Sequence, residues 1–199
     1  MGTVRSELDI EVTALEIHEL EVTEPRDDFE LEVARAVASV RSGNADPALA
    51  RALYRKFGMD PTRIRPSSEA LLRRIKRGDP FPRVNSLVDV ANALSVQYQV
   101  PVGLYDLEKV HGIELVIRLG KPGEGYAGIG KEHVNVEGRL CVADSAGAFG
   151  NPSADAARTM ITTETERAAW IYFLPVTDEQ VDRTAELVTV FGRGLVRVG

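Results

Sequence analysis

The residues whose types and spacing could support chemistry are concentrated in one stretch, AGAFGNPSADAARTMITTET, residues 146–165. This stretch places the carboxylate of Asp155 and the guanidinium of Arg158 among glycines, hydroxyls and an amide, with a second carboxylate, Glu164, near its end. Glycines leave backbone N–H groups accessible, and the hydroxyls of Ser153 and Thr159 add further polar groups. We therefore predict that the stretch forms the wall of a polar site. The alternative is an ordinary loop in which Arg158 pairs with Asp155 and fixes a turn.

A second set of polar residues lies in NSLVDVANALSVQY, residues 85–98, which has the apolar spacing of a helix. Asn85, Asp89 and Asn92 are spaced four and three apart, so they share one helical face. Amides and a carboxylate on an otherwise apolar helix are either buried in a hydrogen-bonded network or directed at a cavity. The spacing leaves both possibilities open.

Positive charge is concentrated in the middle of the chain, although the net charge is -6. Residues 51–83 hold ten Arg or Lys and three acidic residues, whereas residues 1–32 hold eleven acidic residues and two Arg. An acidic protein with this distribution can still present one basic face to phosphates. The arginines that would form this face are Arg63, Arg65, Arg73, Arg74, Arg77 and Arg83. The alternative is that they complement a helix dipole and keep the helix soluble.

Other candidate motifs lack the neighbouring residues or the spacing that their function would require. GEGYAG, residues 123–128, matches a dinucleotide fingerprint, but no helix follows it, so we predict a glycine-rich strand connection. His18, His111 and His133 lie far apart and lack the spacing of metal ligands, which favours structural or surface roles. Cys141 lies in an apolar strand and is predicted to be a small buried hydrophobe. We therefore predict neither a cofactor nor a metal.

Hydrophobic periodicity predicts a mixture of strands and helices without regular alternation. One or two half-buried strands are expected at 8–17, and Ser67 is expected to cap the third helix. The predicted helices are 27–40, 47–57, 67–77, 85–98 and 178–191, and the further predicted strands are 113–119, 126–129, 139–143 and 168–175. This order favours a mixed or antiparallel sheet with helices around it over a doubly wound fold.

Composition indicates a soluble globular protein, with 44% hydrophobic residues and one cysteine in 199 residues. We predict a single domain over residues 1–199. One cysteine excludes an intramolecular disulfide, and the acidic N-terminus lacks the order of a signal peptide. We expect a cytoplasmic protein with no membrane or DNA partner, because its net charge argues against indiscriminate binding to nucleic acids.

Two longer stretches resemble a known family. RPSSEALLRRIKRGDPFPRVNSLVDVANALSVQYQVPVGLYDLEKV and GRLCVADSAGAFGNPSADAARTMITTET are similar to the freestanding proteins of the B3/B4 domain family. The family is named after the tRNA-editing module in the β subunit of bacterial phenylalanyl-tRNA synthetase. The resemblance is strongest over residues 54–175. It implies an α+β fold with a mixed or antiparallel β-sandwich core flanked by helices, and a cleft that in the synthetase module hydrolyses the ester of a mischarged tRNA.

This chain departs from the synthetase module at two functional positions. The module has a histidine just before its Asp-Leu-Glu-Lys-like motif, where PVGLYD has Gly103. The glutamate in the module's later glycine-rich loop falls near Ala157. Neither role can therefore be transferred to this chain. An aminoacyl ester is already activated, so its hydrolysis mainly needs a positioned water molecule and donors for the developing oxyanion.

Residue chemistry and motif position then suggest roles. Asp155 would orient the water, backbone N–H groups from Gly147 to Asn151 would stabilise the oxyanion, and Thr159 or Ser153 would hold the terminal ribose. Asp89 or Asp106 would pair with a cationic amino-acid side chain. The predicted catalytic residues are Asp155, Thr159 and Gly150; the substrate-binding residues are Asn85, Asp89, Asn92, Asp106, Asn151, Ser153 and Arg158; and the six arginines named above are predicted to bind RNA.

The function expected from this resemblance is that of a trans-acting aminoacyl-tRNA deacylase, with mischarged tRNA as its partner. One alternative is a non-catalytic tRNA- or RNA-binding module of the same fold. Another is a protein that binds a small, amino-acid-like molecule in the same cleft. Salt-sensitive tRNA binding without turnover would favour the module, and thermal stabilisation by a small ligand without RNA affinity would favour the small-molecule protein.

Overall fold

A computed structural model of the chain describes residues 4–43 and 45–198. Within these ranges the helices are α1 (Glu30–Arg41), α2 (Ala48–Lys56), α3 (Ser67–Lys76), α4 (Ser86–Tyr98) and α5 (Asp178–Leu187). The strands there are β1 (Val4–Ser6), β2 (Thr13–His18), β3 (Val102–Asp106), β4 (Leu115–Leu119), β5 (Gly125–Gly128), β6 (Lys131–Asn135), β7 (Leu140–Asp144), β8 (Gly147–Gly150), β9 (Ala168–Tyr172) and β10 (Leu195–Val198). In this part of the chain no helix is long and apolar enough to cross a membrane.

Eight of these strands form two four-stranded sheets. The first has the order β1-β4-β7-β8, with β1 parallel to β4 and the other pairs antiparallel. The second has the order β10-β2-β9-β3 and is antiparallel throughout. β5 and β6 form a separate antiparallel hairpin. The predicted α+β fold, with a mixed or antiparallel sandwich core and flanking helices, is confirmed.

The alternation of side chains along β9 explains how the layers are stacked. Ala169 and Ile171 pack against apolar residues of the first sheet and form the core between the sheets. Trp170 and Tyr172 point the other way and pack against the helices. Both faces of β9 are therefore buried, because successive side chains of a strand point to opposite sides of a sheet.

Helix α4 lies at the centre of the helical layer, where it packs against α1, α3 and β3. Leu87, Val90 and Leu94 are fully buried on its apolar face. The helix begins after Asn85, whose Oδ1 accepts a hydrogen bond of 2.9 Å from the N–H of Val88. This cap satisfies one of the N–H groups that the first turn leaves without a helical partner.

The β5–β6 hairpin covers the outer face of the first sheet and is held there by an ion pair. Two guanidinium nitrogens of Arg118 each lie 2.7 Å from the carboxylate of Glu124, which also accepts the N–H groups of Lys121 and Ala148. These contacts lower the pKa of Glu124 to about 2. Cys141 is fully buried under the hairpin, as predicted, and burial raises the pKa of its thiol to about 12.

Some local predictions need correction. Ser67 does not cap α3: Pro66 occupies the cap position, and the N–H of Ser67 donates to the carbonyl oxygen of Pro152 at 2.8 Å. The strand expected from residue 8 begins only at Thr13, because Ser6 Oγ and the backbone of Leu8 hydrogen-bond each other and turn the chain. The stretch 146–165, for which no regular structure was predicted, contains β8 and a short helical turn, Ala157–Thr159. β1, β3, β6 and β10 were not predicted.

Candidate functional site

Residues 151–155, which we call the site loop, lie within the stretch 146–165 that was predicted to form the site wall, and tyrosine hydroxyls hold them in place. The Tyr126 hydroxyl donates to the carbonyl oxygen of Ala154 at 2.7 Å. The hydroxyls of Tyr54 and Ser153 share a hydrogen bond. Burial raises the pKa of Tyr54 and of Tyr126, so both phenols keep their protons and remain hydrogen-bond donors at neutral pH. The loop is therefore part of the packed structure.

A third tyrosine, Tyr105 on β3, contacts the carboxylate of this loop. Its hydroxyl donates to Oδ1 of Asp155 at 2.9 Å. Two glycines make room for the phenol: a Cβ atom would lie 2.2 Å from the hydroxyl oxygen at Gly103 and 2.3 Å from it at Gly150. Gly150, which was predicted to act in catalysis, is thus buried beside the Tyr105 ring.

Burial raises the pKa of Asp155 to about 7. Hydrogen bonds from the Tyr105 hydroxyl and from the backbone of Asn151 act in the opposite direction but do not offset the effect of burial. The pKa of Tyr105 is raised well above its usual value, first by burial and then by the charge of Asp155. A carboxylate with a pKa near neutrality can accept a proton at physiological pH, which is the property required of a general base.

Asp155 lines a cavity of about 220 Å³ between α4, β3 and the site loop. The apolar residues of its wall are Val84, Val88, Ala91, Val102, Leu104, Ile129, Met160 and Ile161, and the polar ones are Asn92, Ser95 and Asp155. Val84, Ile129 and Met160 are exposed to solvent as well, so they form an apolar rim at the entrance. The cavity therefore combines one titratable carboxylate with a mainly apolar wall.

Asn92 and Asp155 come from the two polar segments singled out in the sequence, and the structure brings both to this cavity. Among the described residues, no hydrogen bond engages the Asn92 amide. Ser95 differs, because its hydroxyl donates to the carbonyl oxygen of Val100 at 2.8 Å. The amide of Asn92 is therefore available to form hydrogen bonds with a ligand in the cavity.

The other two residues of the α4 stripe belong to a buried network. Asn85 caps the helix, and its amide nitrogen lies 3.4 Å from the carbonyl oxygen of Ile161. Asp89 is 1% exposed and accepts hydrogen bonds from Nε of Arg83 at 2.6 Å and from the N–H of Val84 at 2.7 Å. Both side chains therefore hold the helix in place outside the cavity wall.

The carboxylate of Asp106 is also engaged within the protein. It accepts the hydroxyl of Thr165 at 2.9 Å and lies 2.9 Å from the ammonium group of Lys109. With Asp89 and Asp106 both paired internally, neither carboxylate faces the cavity as a partner for a cationic side chain.

Arg158 does not pair with Asp155, so the alternative of a turn fixed by that ion pair is wrong. Its guanidinium lies 2.9 Å from Oδ1 of Asp144 and stacks over the ring of Phe149 at 5.0 Å. The hydrogen-bond partner of Asp155 is the phenol of Tyr105, which lowers the pKa of the carboxyl group by less than burial raises it.

Thr159, Asn151 and Ser153 lie close to Asp155 in the chain but not in the cavity wall. Thr159 is fully buried, and its Oγ1 has no hydrogen-bond partner among the described residues. Asn151 Oδ1 accepts the N–H groups of Ser153 at 2.7 Å and of Ala154 at 3.1 Å. Asn151 and Ser153 line a second cavity on the other side of the loop.

Four of the six arginines predicted to bind RNA make contacts within the protein. Arg83 contacts Asp89 and Glu30 and is largely buried. Arg65 lies 3.4 Å from Glu69, Arg74 donates to the carbonyl oxygen of Pro80, and Arg77 pairs with Asp79. Arg63 and Arg73 are exposed. Three of the six, Arg65, Arg77 and Arg83, are thus paired with carboxylates, and the RNA-binding role of the face stays a prediction.

Sequence reasoning missed the three tyrosines that hold the loop. Tyr105 and Asp155 are 50 residues apart, so no local pattern links them. One signal was present in PVGLYD, where Gly103 stands two positions before Tyr105 and therefore on the same face of a strand. A glycine at this distance from a large side chain indicates that the side chain lies over the glycine.

Comparison with protein families identifies the chain. A family model described as the B3/4 domain matches residues 49–189. The chain belongs to the B3/4 domain family. The membership inferred from the two motif-bearing stretches is thus confirmed. The matched residues include α4, the β5–β6 hairpin and the loop with Asp155.

This B3/4 domain protein is similar to one curated synthetase subunit and to one solved synthetase fragment. A phenylalanine-tRNA ligase beta subunit of Carboxydothermus hydrogenoformans is 29% identical over 114 residues, which are 57% of this chain and 14% of that protein. The crystal structure of an N-terminal fragment of the phenylalanyl-tRNA synthetase beta subunit from Pyrococcus horikoshii matches 98% of this chain and 49% of the fragment, with 12% identity and a TM-score of 0.49. The chain thus spans a small part of the curated relative.

Proposed function

We propose that this B3/4 domain protein hydrolyses the ester of a mischarged aminoacyl-tRNA in trans. The observation that supports the proposal is a carboxyl group with a pKa of about 7, Asp155, in the wall of a cavity of about 220 Å³. The family relationship to a phenylalanine-tRNA ligase subunit points to a role connected with tRNA. The cavity supplies a place where an ester could meet a base.

In the proposed reaction the carboxylate of Asp155 accepts a proton from a water molecule, and the water oxygen attacks the carbonyl carbon of the ester. The tetrahedral intermediate then expels the ribose oxygen, which takes the proton back from Asp155. The products are a free amino acid and a tRNA with an intact terminal ribose. Asp155 ends the cycle in its starting state, so no cofactor is required.

The developing oxyanion needs hydrogen-bond donors, and the Asn92 amide is the donor that we place in this role. It lies in the same cavity wall as Asp155 and is not engaged by another described residue. Gly150 is less suited, because it is buried beside the ring of Tyr105. Thr159 is also less suited to hold the ribose, because its side chain is fully buried and does not line the cavity, although the next residue, Met160, does.

The wall of the cavity favours an ester of an apolar amino acid. Val88, Val102 and Leu104 contribute apolar surface, and removing such surface from water stabilises a complex by roughly 25 cal/mol per Å². A cationic side chain would need a carboxylate partner, and both Asp89 and Asp106 are already paired with cations of the protein. The proposed substrate class is therefore a tRNA mischarged with an apolar or aromatic residue.

A panel of tRNAs misacylated with radiolabelled amino acids tests the proposal. The wild-type protein should release label from tRNAs that bear apolar residues, and Asp155→Asn should lower the rate by about 10²-fold or more, as removal of a general base does. Glu164→Gln, which removes an exposed carboxylate in the turn after Ile161, is the matched control and should keep the wild-type rate. Loss of label at equal rates with wild type and Asp155→Asn would reject the mechanism.

The same cavity would also suit a protein that binds a free apolar amino acid without hydrolysing an ester. Its volume and apolar wall support this second function as well. Thermal stabilisation by free amino acids, with no loss of label from any misacylated tRNA, would establish binding in place of hydrolysis.

A further inference from the structure

A second cavity, of about 190 Å³, lies on the other side of the site loop from Asp155. Asn151, Pro152, Ser153 and Ala154 form one of its walls. Strand β6 of the hairpin forms another wall. The hairpin is thus common to both cavities, because Ile129 at its turn lines the cavity that contains Asp155.

Three cationic or potentially cationic side chains line this second cavity, namely Lys131, His133 and Arg139, and none of its lining residues is Asp or Glu. A more open hollow adjoins it, with Arg139 common to both; Arg63 lies in its wall together with two acidic residues, Asp60 and Glu137. The two hollows together form what we call the cationic groove, defined by Arg63, Lys131, His133 and Arg139.

The cationic side chains of this groove do not form ion pairs within the described structure. Within the described residues, none of these four side chains lies within 4.0 Å of a carboxylate, whereas Arg51, Arg83, Arg118, Arg158, Arg167 and Arg183 all do. The net charge of the chain is -6, so acidic groups are plentiful. Unpaired positive charges that face one recess of an acidic protein favour an anionic ligand at that recess.

The local structure fixes two of these side chains. The ring of His133 lies across Gly125, where a Cβ atom would be 2.4 Å from Cε1 of the imidazole. One guanidinium nitrogen of Arg139 donates to the carbonyl oxygen of Asn135 at 2.7 Å, which leaves its other N–H groups for a ligand. Held in this way, the imidazole and the guanidinium lose less conformational entropy when a ligand binds.

The floor of the cavity between these cations is apolar. It is formed by Met59, Ile64 and Leu140, with Pro152 beside them. Cations at the rim and apolar groups below suit a ligand that combines a phosphate with a flat, weakly polar ring. A nucleotide has this composition, and phosphate contacts together with base packing are the usual means of holding single-stranded nucleic acid.

We propose that the cationic groove binds the sugar-phosphate backbone of a single-stranded RNA end, with phosphates contacted by Lys131 and Arg139. The assignment to RNA rests on the proposed function, whereas the phosphate chemistry follows from the groove itself. RNA bound here would pass on one side of the loop 151–155 while its esterified end reaches the cavity on the other. The groove shares Arg63 with the predicted basic face, three of whose other arginines, Arg65, Arg77 and Arg83, are paired with carboxylates.

The test compares binding of an uncharged tRNA transcript by fluorescence anisotropy at several KCl concentrations. Lys131→Gln and the double variant Lys131→Gln/Arg139→Gln should weaken binding about threefold to tenfold per charge and lower the salt slope by roughly one per phosphate contact. Arg197→Gln is the control, since it removes one exposed cation from β10 of the other sheet. Thermal unfolding checks that each variant is folded. If the double variant does not fold, the single variant Lys131→Gln still tests the proposal.

A second arm uses inorganic phosphate and adenosine monophosphate, followed by chemical-shift changes of backbone amides. Shifts in β6 that disappear in Lys131→Gln support the phosphate site. If these small probes bind but the tRNA does not, the site belongs to small nucleotides and the RNA assignment is overturned. If no probe binds, or if the groove variants bind like Arg197→Gln, the groove proposal is rejected.

These outcomes are independent of ester hydrolysis, because uncharged tRNA has no ester. Groove-dependent binding of tRNA without release of any amino acid would retain the groove and reject the proposed function. Release of amino acid that depends on Asp155 but not on Lys131 or Arg139 would retain the proposed function and reject the groove.

Discussion

The hydroxyl of Tyr105 donates a hydrogen bond of 2.9 Å to Oδ1 of Asp155, and this bond joins β3 to the loop that follows β8. It keeps the carboxylate from moving freely in a cavity whose wall is mainly apolar. It also lowers the pKa of Asp155 relative to the value that burial alone would give. Position and protonation of the proposed base therefore depend on one phenol.

Replacement of this phenol should raise the pKa of Asp155. In Tyr105→Phe the hydrogen bond to the carboxylate is lost, so the ionised form is less stable and the midpoint should rise by about one pH unit. The carboxyl carbon resonance of Asp155, followed by ¹³C NMR from pH 4 to 9, measures this directly. Tyr98→Phe, whose hydroxyl donates to the carbonyl oxygen of Gln180, should leave the midpoint unchanged. A midpoint that stays the same in Tyr105→Phe would contradict the assignment.

The raised pKa of Asp155 should make stability decrease as pH increases. The folded protein holds the proton up to a pKa of about 7, against a usual value of 3.8, so the contribution is complete below pH 3.8 and is lost as pH rises through 7. Between pH 5 and 8 the wild type should lose on the order of 2 kcal/mol of unfolding free energy relative to Asp155→Asn, which cannot titrate. Urea denaturation at the two pH values measures the difference. Parallel profiles for the two proteins would show that Asp155 is not a buried titrating group.

Gly103 should not tolerate alanine. An added Cβ atom would lie 2.2 Å from the hydroxyl oxygen of Tyr105 and 2.7 Å from Cζ, so the ring or the strand must shift. Overpacking of this kind costs about 1–3 kcal/mol, and it should also break the hydrogen bond to Asp155. Gly192→Ala is the comparison, because there the nearest atoms would be 3.2 Å away, at the ends of the Leu20 and Leu87 side chains. Equal stability of Gly103→Ala and wild type in urea would mean that the ring is not confined.

Loss of the Arg118–Glu124 ion pair should destabilise the hairpin that borders both cavities. Glu124→Gln leaves a largely buried guanidinium with a neutral partner, and removal of one member of a buried pair costs about 3–5 kcal/mol. Urea denaturation at pH 7 measures this loss. Glu132→Gln on the exposed side of β6 should change the unfolding free energy by less than about 0.5 kcal/mol. Similar stabilities of the two variants would show that the ion pair contributes little.

The helices were predictable because their signals are local. Apolar spacing, together with glycines that follow helices, predicted α1 to α5 near their observed bounds. The end of α3, for example, is indicated by Gly78 itself and does not depend on a contact with a distant residue. Strands β3 and β8 were not predictable in the same way. Each contains glycine, which usually weakens a strand, and both Gly103 and Gly150 are there to make room for Tyr105. A contact between three separate segments leaves no periodic pattern.

The candidate site was predictable in chemistry but not in geometry. Polar residues on an apolar helix and a carboxylate in a glycine-rich segment pointed to Asn92 and Asp155. The spacing of Asn85, Asp89 and Asn92 could not show which of them face a cavity, because the answer depends on Arg83, which pairs with Asp89 across the start of the helix. The contact of Arg83 with Glu30 could not be predicted for the same reason, because 53 residues separate them in the chain.

The most direct test of the central claim is the pH dependence of ester hydrolysis under single-turnover conditions. The rate of amino-acid release from a tRNA mischarged with an apolar residue should be measured from pH 5 to 9 with wild type and Asp155→Asn, each corrected for the protein-free reaction. We predict that the wild-type rate rises with a midpoint near pH 7 and then levels off, as Asp155 loses its proton. A wild-type rate that equals that of Asp155→Asn across the whole range would contradict the assignment of Asp155 as the base.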